Sequence, residues 1–150
     1  MIKDRPSRLD LIFIEQLLYF VTFATWNRQI IPSLELAKSA VEKYAQRAIR
    51  DFNIGVGRYV VIPDHIHLFV RGDGNFSLSQ WIAGLKRAIS NALKVRGTFW
   101  QPGFFDHILR SDESYSEKWN YVRENPVRAG LVKNADDWRF QGEIVLIDRA

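Results

Sequence analysis

Cysteine is absent from the 150-residue chain. That excludes disulfides and thiolate metal sites, and leaves His, Asp, Glu, Asn and Gln as the side chains able to hold an ion. It also fits a reducing compartment. No apolar run approaches the length needed to span a bilayer. The opening stretch MIKDRPSRLDLIFIEQ has neither a long apolar core nor a small-residue cleavage site. The expectation is a soluble, cytoplasmic protein with no membrane association. Repeats, low-complexity tracts and long linkers are missing too, so residues 1–150 read as one domain large enough to bury a core. What is present is ordinary globular composition, 47% hydrophobic and 13% aromatic. Lys and Arg number 21 against 17 acidic residues, a net charge of +4. So small an excess favours a polyanionic partner only if it is clustered.

Residues Leu17 to Trp26 (LLYFVTFATW) are rich in β-branched and aromatic types and read as a buried strand. Pro32-Ser33 offers a helix start, and Leu34 to Phe52 follows with Ala37, Val41, Tyr44, Ala48 and Phe52 as an apolar stripe. Gly55 and Gly57 end that helix. Arg58 to Ile62 and His65 to Arg71 are strands joined at Pro63-Asp64, an antiparallel hairpin. The loop RGDGN follows, and Ser77 caps a helix to about Val95 whose buried face is Leu78, Ile82, Leu85, Ile89 and Leu93. Gly97 stops it, and Phe104 to Arg110 (FFDHILR) is a further strand. Ser111-Asp112 can cap a third helix, about Glu113 to Glu124, ending near Pro126. EIVLID near the terminus reads as a short strand or an arm. The order β-α-β-β-α-β-α predicts a ferredoxin-like α+β fold, with helices packed on one face of an antiparallel sheet.

The segment VIPDHIHLFV (61–70) sets two of the three histidines in the chain two residues apart inside an apolar run. Side chains alternate along a strand, so His65 and His67 share one face while Ile66, Leu68 and Val70 take the other. If the apolar set lies against the helices, both imidazoles emerge on the opposite face. Two imidazoles at i and i+2 can grip one divalent cation and leave positions open for water or substrate. The bland alternative is a pair of polar residues on a solvated sheet face. His107 in FFDHILR is a further ligand, a phosphate contact or a satisfied surface residue. In WNYVRENPVRAGLV (119–132), Tyr121 and Asn125 are four apart and share a helical face if the helix persists towards Pro126. They would then complete a His-His-Asn site and present a phenol to it; the competing reading of Tyr121 is an amphipathic surface residue.

VIPDHIHLFV followed by YVRENPVRAGLV resembles the HUH single-strand DNA transposases with one catalytic tyrosine, most of all the branch called REP-associated tyrosine transposases. YFVTFATWNRQIIP and FWQPGFFDHILR add to the match, which runs from about Tyr19 to Val132. The resemblance implies that His65 and His67 bind a metal, Mg²⁺ or Mn²⁺, with Asn125 as third ligand and Tyr121 as nucleophile. Asp64 stands where relatives often have Asn. The implied activity is metal-dependent nicking and strand transfer of single-stranded, hairpin-forming DNA through a 5′-phosphotyrosine. Such relatives include dimers that exchange the tyrosine helix and forms that act as monomers, so a homodimer is among the expectations.

Lys86, Arg87, Lys94 and Arg96 can follow a DNA backbone, with Trp100 available for stacking, or can be no more than a solvated helix face. Arg128 and Lys133 are a second candidate phosphate contact. Two competing readings are a catalytically idle hairpin-binding module and a metal-dependent hydrolase of small phosphoesters that needs no tyrosine.

Overall fold

The computed structural model describes residues 17–72, 75–110 and 114–147. Its elements are β1 (Leu17–Ala24), α1 (Leu34–Phe52), β2 (Gly55–Ile62), β3 (His65–Gly72), α2 (Leu78–Leu93), β4 (Phe105–Leu109), α3 (Tyr115–Val122), α4 (Asn125–Arg128) and β5 (Gln141–Glu143). The strands form one sheet in the order β4-β1-β3-β2-β5, antiparallel at every pairing. This is the expected α+β architecture.

Helices α1, α2 and α3 begin where the sequence offers an acceptor for their unpaired N–H groups. Ser33, Ser77 and Ser114 each accept from a backbone N–H three residues on, that of Leu36, Gln80 and Glu117. Helices α1 and α2 end on Asn53 and Lys94 in the left-handed conformation. The observed cap of α3 is Ser114; the expected cap Ser111-Asp112 lies outside the described residues.

The two long helices cover one face of the sheet. Ile66, Leu68 and Val70 from β3 and Val21 and Phe23 from β1 are buried against Ala37, Val41, Ala48, Ile82, Leu85 and Ile89. The α2 stripe also includes Trp81, whereas Phe52 is 68% exposed and falls outside the α1 stripe. That helix turns its small residues Ala37, Ala40, Ala45 and Ala48 inward instead, and so sits close to the sheet.

The third helix does not join this layer. Tyr115, Trp119 and Val122, at helical spacing, form a stripe of their own that packs on Leu18, Phe20 and Phe69, the opposite face of the same strands. The histidine face is therefore partly roofed rather than open. Close contact there requires Gly57: the Tyr115 hydroxyl accepts the Arg58 backbone N–H at 2.8 Å, in space that a side chain at position 57 would fill. The last strand is also displaced from EIVLID: β5 is Gln141–Glu143, and Ile144 and Val145 only continue its hydrogen bonding to Gly57 and Val56.

Candidate active site

The register places Thr22 of β1 opposite His67 of β3, and Ala24 opposite His65. The two imidazole rings lie 4.6 Å apart, nearly perpendicular, and His67 stacks on Phe20. Each ring has its Nδ1 engaged: His67 with Thr22 Oγ1 at 2.7 Å, His65 with Asp64 Oδ1 at 2.8 Å. Asp64 in turn accepts from Arg28 Nε at 2.7 Å. Arg28 ends a turn in which Asn27 and Arg28 both hold positive φ, +58° and +56°. For non-glycine residues that conformation costs about 1–2 kcal/mol each, and such strain clusters at functional sites.

After α3 the chain stays right-handed through Arg123 and Glu124 and enters the short α4, with Pro126 in its first turn where a missing N–H costs nothing. Tyr121 and Asn125 thereby face the same way. Asn125 Nδ2 donates to the Val122 carbonyl at 3.0 Å and lies 3.0 Å from His67 Nε2, while its Oδ1 accepts from Arg128 Nη2 at 3.1 Å. With the amide oxygen taken by a guanidinium, the amide N–H faces the ring, so His67 Nε2 is the acceptor and the ring proton sits on Nδ1. Arg128 also donates to the Tyr121 carbonyl at 2.9 Å, and its guanidinium lies 4.3 Å from the centre of the Tyr121 ring. The phenol itself is 65% exposed. Tyrosine, arginine, asparagine and histidine thus form one chain of contacts within a single protomer.

Burial, joined by the charges of His65, Arg128 and Lys118, pushes the His67 pKa down to about 3. The ring is neutral at ordinary pH, the form that donates an electron pair to a metal. Partial burial works to raise the Asp64 pKa, but the hydrogen bond from His65 and the charges of His65 and Arg28 outweigh it and hold the carboxyl ionised. Among the described residues no three His, Asp or Glu side chains converge as a metal site. The Asn125 amide is the side chain beside His67 Nε2, and a half-turn of its last side-chain bond brings its oxygen there in place of the nitrogen. Two imidazoles and an amide oxygen suit a divalent first-row ion such as Mn²⁺, and with added phosphate oxygens they suit Mg²⁺.

Residues 13–125 match the family described as "Transposase IS200 like". The chain belongs to that family. It is 34% identical over 135 residues to the REP-associated tyrosine transposase of Escherichia coli K12, covering 81% of this chain and 78% of the relative. A Haemophilus influenzae protein provisionally given the same name is 30% identical over 96 residues, 53% of each chain. The fold is shared with a solved REP-associated tyrosine transposase bound to a REP hairpin, with a TM-score of 0.70 and 22% identity over 89% of this chain and 90% of that one. No helix among the described residues is long and apolar enough to cross a membrane.

Of the other expected DNA contacts, Arg128 lies in this site and His107 on the same face of the sheet, while those on and around α2 lie elsewhere. Lys86 donates to the carbonyls of Gln101 and Gly103 at 3.0 and 2.7 Å, and burial lowers its pKa; it ties a loop to α2. Trp100, half-buried, donates to Lys86 O and Ser90 Oγ and packs edge-on against Phe23. Arg87, Lys94 and Arg96 are exposed, on or just beyond α2, the layer across the sheet from the histidines. His107 is paired opposite Phe20 and lies on the histidine face, while Arg128, the last residue of α4, and Lys133 beyond it are exposed. Two residues on the histidine face escaped the sequence reading. Lys118 sits 4.9 Å over the Phe20 ring, and Phe105, opposite Thr22, is 60% exposed. The alternation of FFDHILR carries a signal for Phe105; nothing local marks Lys118.

Proposed function

We propose that this protein nicks single-stranded DNA at hairpin sequences and transfers the strand, using Tyr121 as nucleophile and a divalent cation held by His65, His67 and Asn125. The observation that carries the reading is the 3.0 Å approach of Asn125 to His67 Nε2, on the same stretch of chain that presents the exposed Tyr121. A bound cation would polarise the scissile phosphate and offset the charge that grows on it.

The chain's own groups do the rest. Tyr121 Oη attacks phosphorus, the bond to the 3′ oxygen breaks, and the phenolic proton leaves to solvent as the 3′-hydroxyl takes one up. The product is a 5′-phosphotyrosine beside a free 3′-hydroxyl. An incoming 3′-hydroxyl then displaces the phenol, so the phosphodiester is conserved and no water is consumed. Arg128 bonds the Tyr121 carbonyl and packs on its ring, which holds the nucleophile in place and shortens the search for an aligned attack. Phe105 offers a flat apolar face on the same side of the sheet on which a base flanking the phosphate can stack. That the Escherichia coli relative is named a REP-associated tyrosine transposase, and that a solved relative holds a REP hairpin, supports a hairpin as substrate.

The test is incubation with a labelled single-stranded hairpin and Mn²⁺, followed by denaturing electrophoresis. A covalent adduct is expected from the wild type and none from Tyr121→Phe, with hairpin binding equal in both. An adduct that survives in Tyr121→Phe places the nucleophile elsewhere. Hairpin binding with no adduct from the wild type in any divalent ion leaves a binding module.

A further inference from the structure

Arg28, Asp64 and Thr22 lie outside the ligand set, yet they account for the only ring nitrogens of His65 and His67 that no cation needs. We infer that these three are positioning residues which fix both imidazoles as the Nδ1–H tautomer, so that both Nε2 are unprotonated and one divalent cation needs only to displace the Asn125 N–H from His67. The inference rests on the metal-binding role proposed above and deepens it.

For His65 the assignment follows from chemistry. An ionised carboxylate only accepts, so the 2.8 Å contact with Asp64 Oδ1 requires the proton on Nδ1. For His67 it follows from the amide at Nε2, which makes Nδ1 the donor to Thr22 Oγ1 at 2.7 Å. Metal-bound histidines are oriented by such partners, and a carboxylate on the far nitrogen strengthens the donor pair.

The support for Asp64 is itself built. Thr25, fully buried, donates its backbone N–H to the Asp64 carbonyl at 3.0 Å and its hydroxyl to the Gln29 carbonyl at 2.7 Å. Ile31 N–H donates to the Pro63 carbonyl at 2.8 Å. These bonds stitch the strained turn after β1 to the hairpin turn before His65, and the stitched turn delivers Arg28 to the second oxygen of Asp64. An ion pair as exposed as Arg28–Asp64 adds little to stability, which makes orientation the effect worth testing. Asn in place of Asp64 would keep an acceptor oxygen for His65 but lose the charge.

The experiment uses the full chain with ¹⁵N-labelled histidine, free of metal, and records long-range proton–nitrogen spectra of the rings. Mn²⁺ alone is then titrated calorimetrically. The wild type should show protonated Nδ1 and unprotonated Nε2 on both rings. Asp64→Leu should shift His65 to a tautomer mixture, leave His67 unchanged, and weaken Mn²⁺ roughly 10- to 100-fold. Asp64→Asn should restore the His65 tautomer and most of the affinity, and Thr22→Val should disturb His67 alone. Amide spectra confirm that each variant is folded; should Asp64→Leu not fold, Asp64→Asn against Arg28→Ala carries the comparison, with the larger loss expected in Arg28→Ala if ion pairing positions the carboxylate. Unaltered His65 tautomer or unaltered Mn²⁺ affinity in Asp64→Leu overturns the inference while leaving the phosphotyrosine reading intact. A wild type that holds Mn²⁺ with both tautomers in place but forms no adduct does the opposite, and one that takes up no Mn²⁺ overturns both.

Discussion

The two faces of the sheet are built from the same strands but held together differently. Towards α1 and α2, β3 presents Ile66, Leu68 and Val70, each fully buried, and the helices answer with alanine, leucine and isoleucine. Towards α3, the same strand presents His65, His67 and Phe69, and the partners are hydroxyl, carboxylate, amide and aromatic rings. The first face is non-directional, close-packed burial, in which position matters less than volume. The second joins an apolar cluster around Phe69, Tyr115 and Trp119 to directed hydrogen bonds at the histidines, in which half an ångström or a wrong tautomer matters. Substitutions should therefore separate: losses in the first layer lower stability, and losses among the hydrogen-bonded side chains at the histidines lower activity.

The sharpest form of that contrast pairs Leu85→Ala with Asn125→Ala. Truncating Leu85 in the dry core should cost about 2–5 kcal/mol of unfolding free energy, with adduct formation per folded molecule unchanged. Asn125→Ala should reverse this, leaving stability within about 1 kcal/mol and lowering the adduct rate by roughly 100-fold or more. Urea titration and a quenched-flow adduct assay read the two axes, and a large stability loss in Asn125→Ala would erase the distinction between the faces.

The site face should also carry a pH dependence that the core face lacks. His67 has a folded-state pKa near 3, against 6.5 when unfolded. Between those values the unfolded chain binds more protons, so stability rises with pH. This contribution is complete above pH 6.5 and is lost on acidification towards pH 3, with a limiting slope of about 1.4 kcal/mol per pH unit. Urea unfolding of the metal-free protein at pH 7, 6, 5 and 4 should show the fall, and His67→Gln should flatten it.

Smaller effects test how far the site extends. Phe105→Ala should weaken binding of a hairpin with a single-stranded flank by about 1–3 kcal/mol, the worth of one stacked base, and Phe105→Trp should restore it. Binding of a flankless hairpin should not change. Smallest of all should be Lys94→Ala and Arg96→Ala, on the layer away from the histidines. If either side chain meets a phosphate, the salt slope of binding falls by about 1 per residue; an unchanged slope assigns both to a solvated helix face.

Much of this was legible in the chain because it is local. The helix spans of α1 and α2 follow from apolar spacing and serine caps, the hairpin from Pro63-Asp64, and the shared face of His65 and His67 from strand alternation. The spacing of Tyr121 and Asn125 was equally plain. Misreadings came where the answer depended on a distant partner. Phe52 fits the apolar stripe of α1 yet finds no sheet beneath it. The third helix carries its own apolar stripe, and no periodicity says which side of the sheet a stripe will meet.

By itself, then, the sequence determined the elements, the α+β class and the side chains able to do chemistry, since each depends on residues a few positions apart. Only the tertiary structure decided that Thr22 meets His67 across 45 positions, that Asn125 meets it across 58, and that α3 lies over the histidines. Those contacts are set by strand register and by the packing of Tyr115, Trp119 and Val122 on the far face, where the stabilising energy comes from pairing segments that the linear order keeps apart.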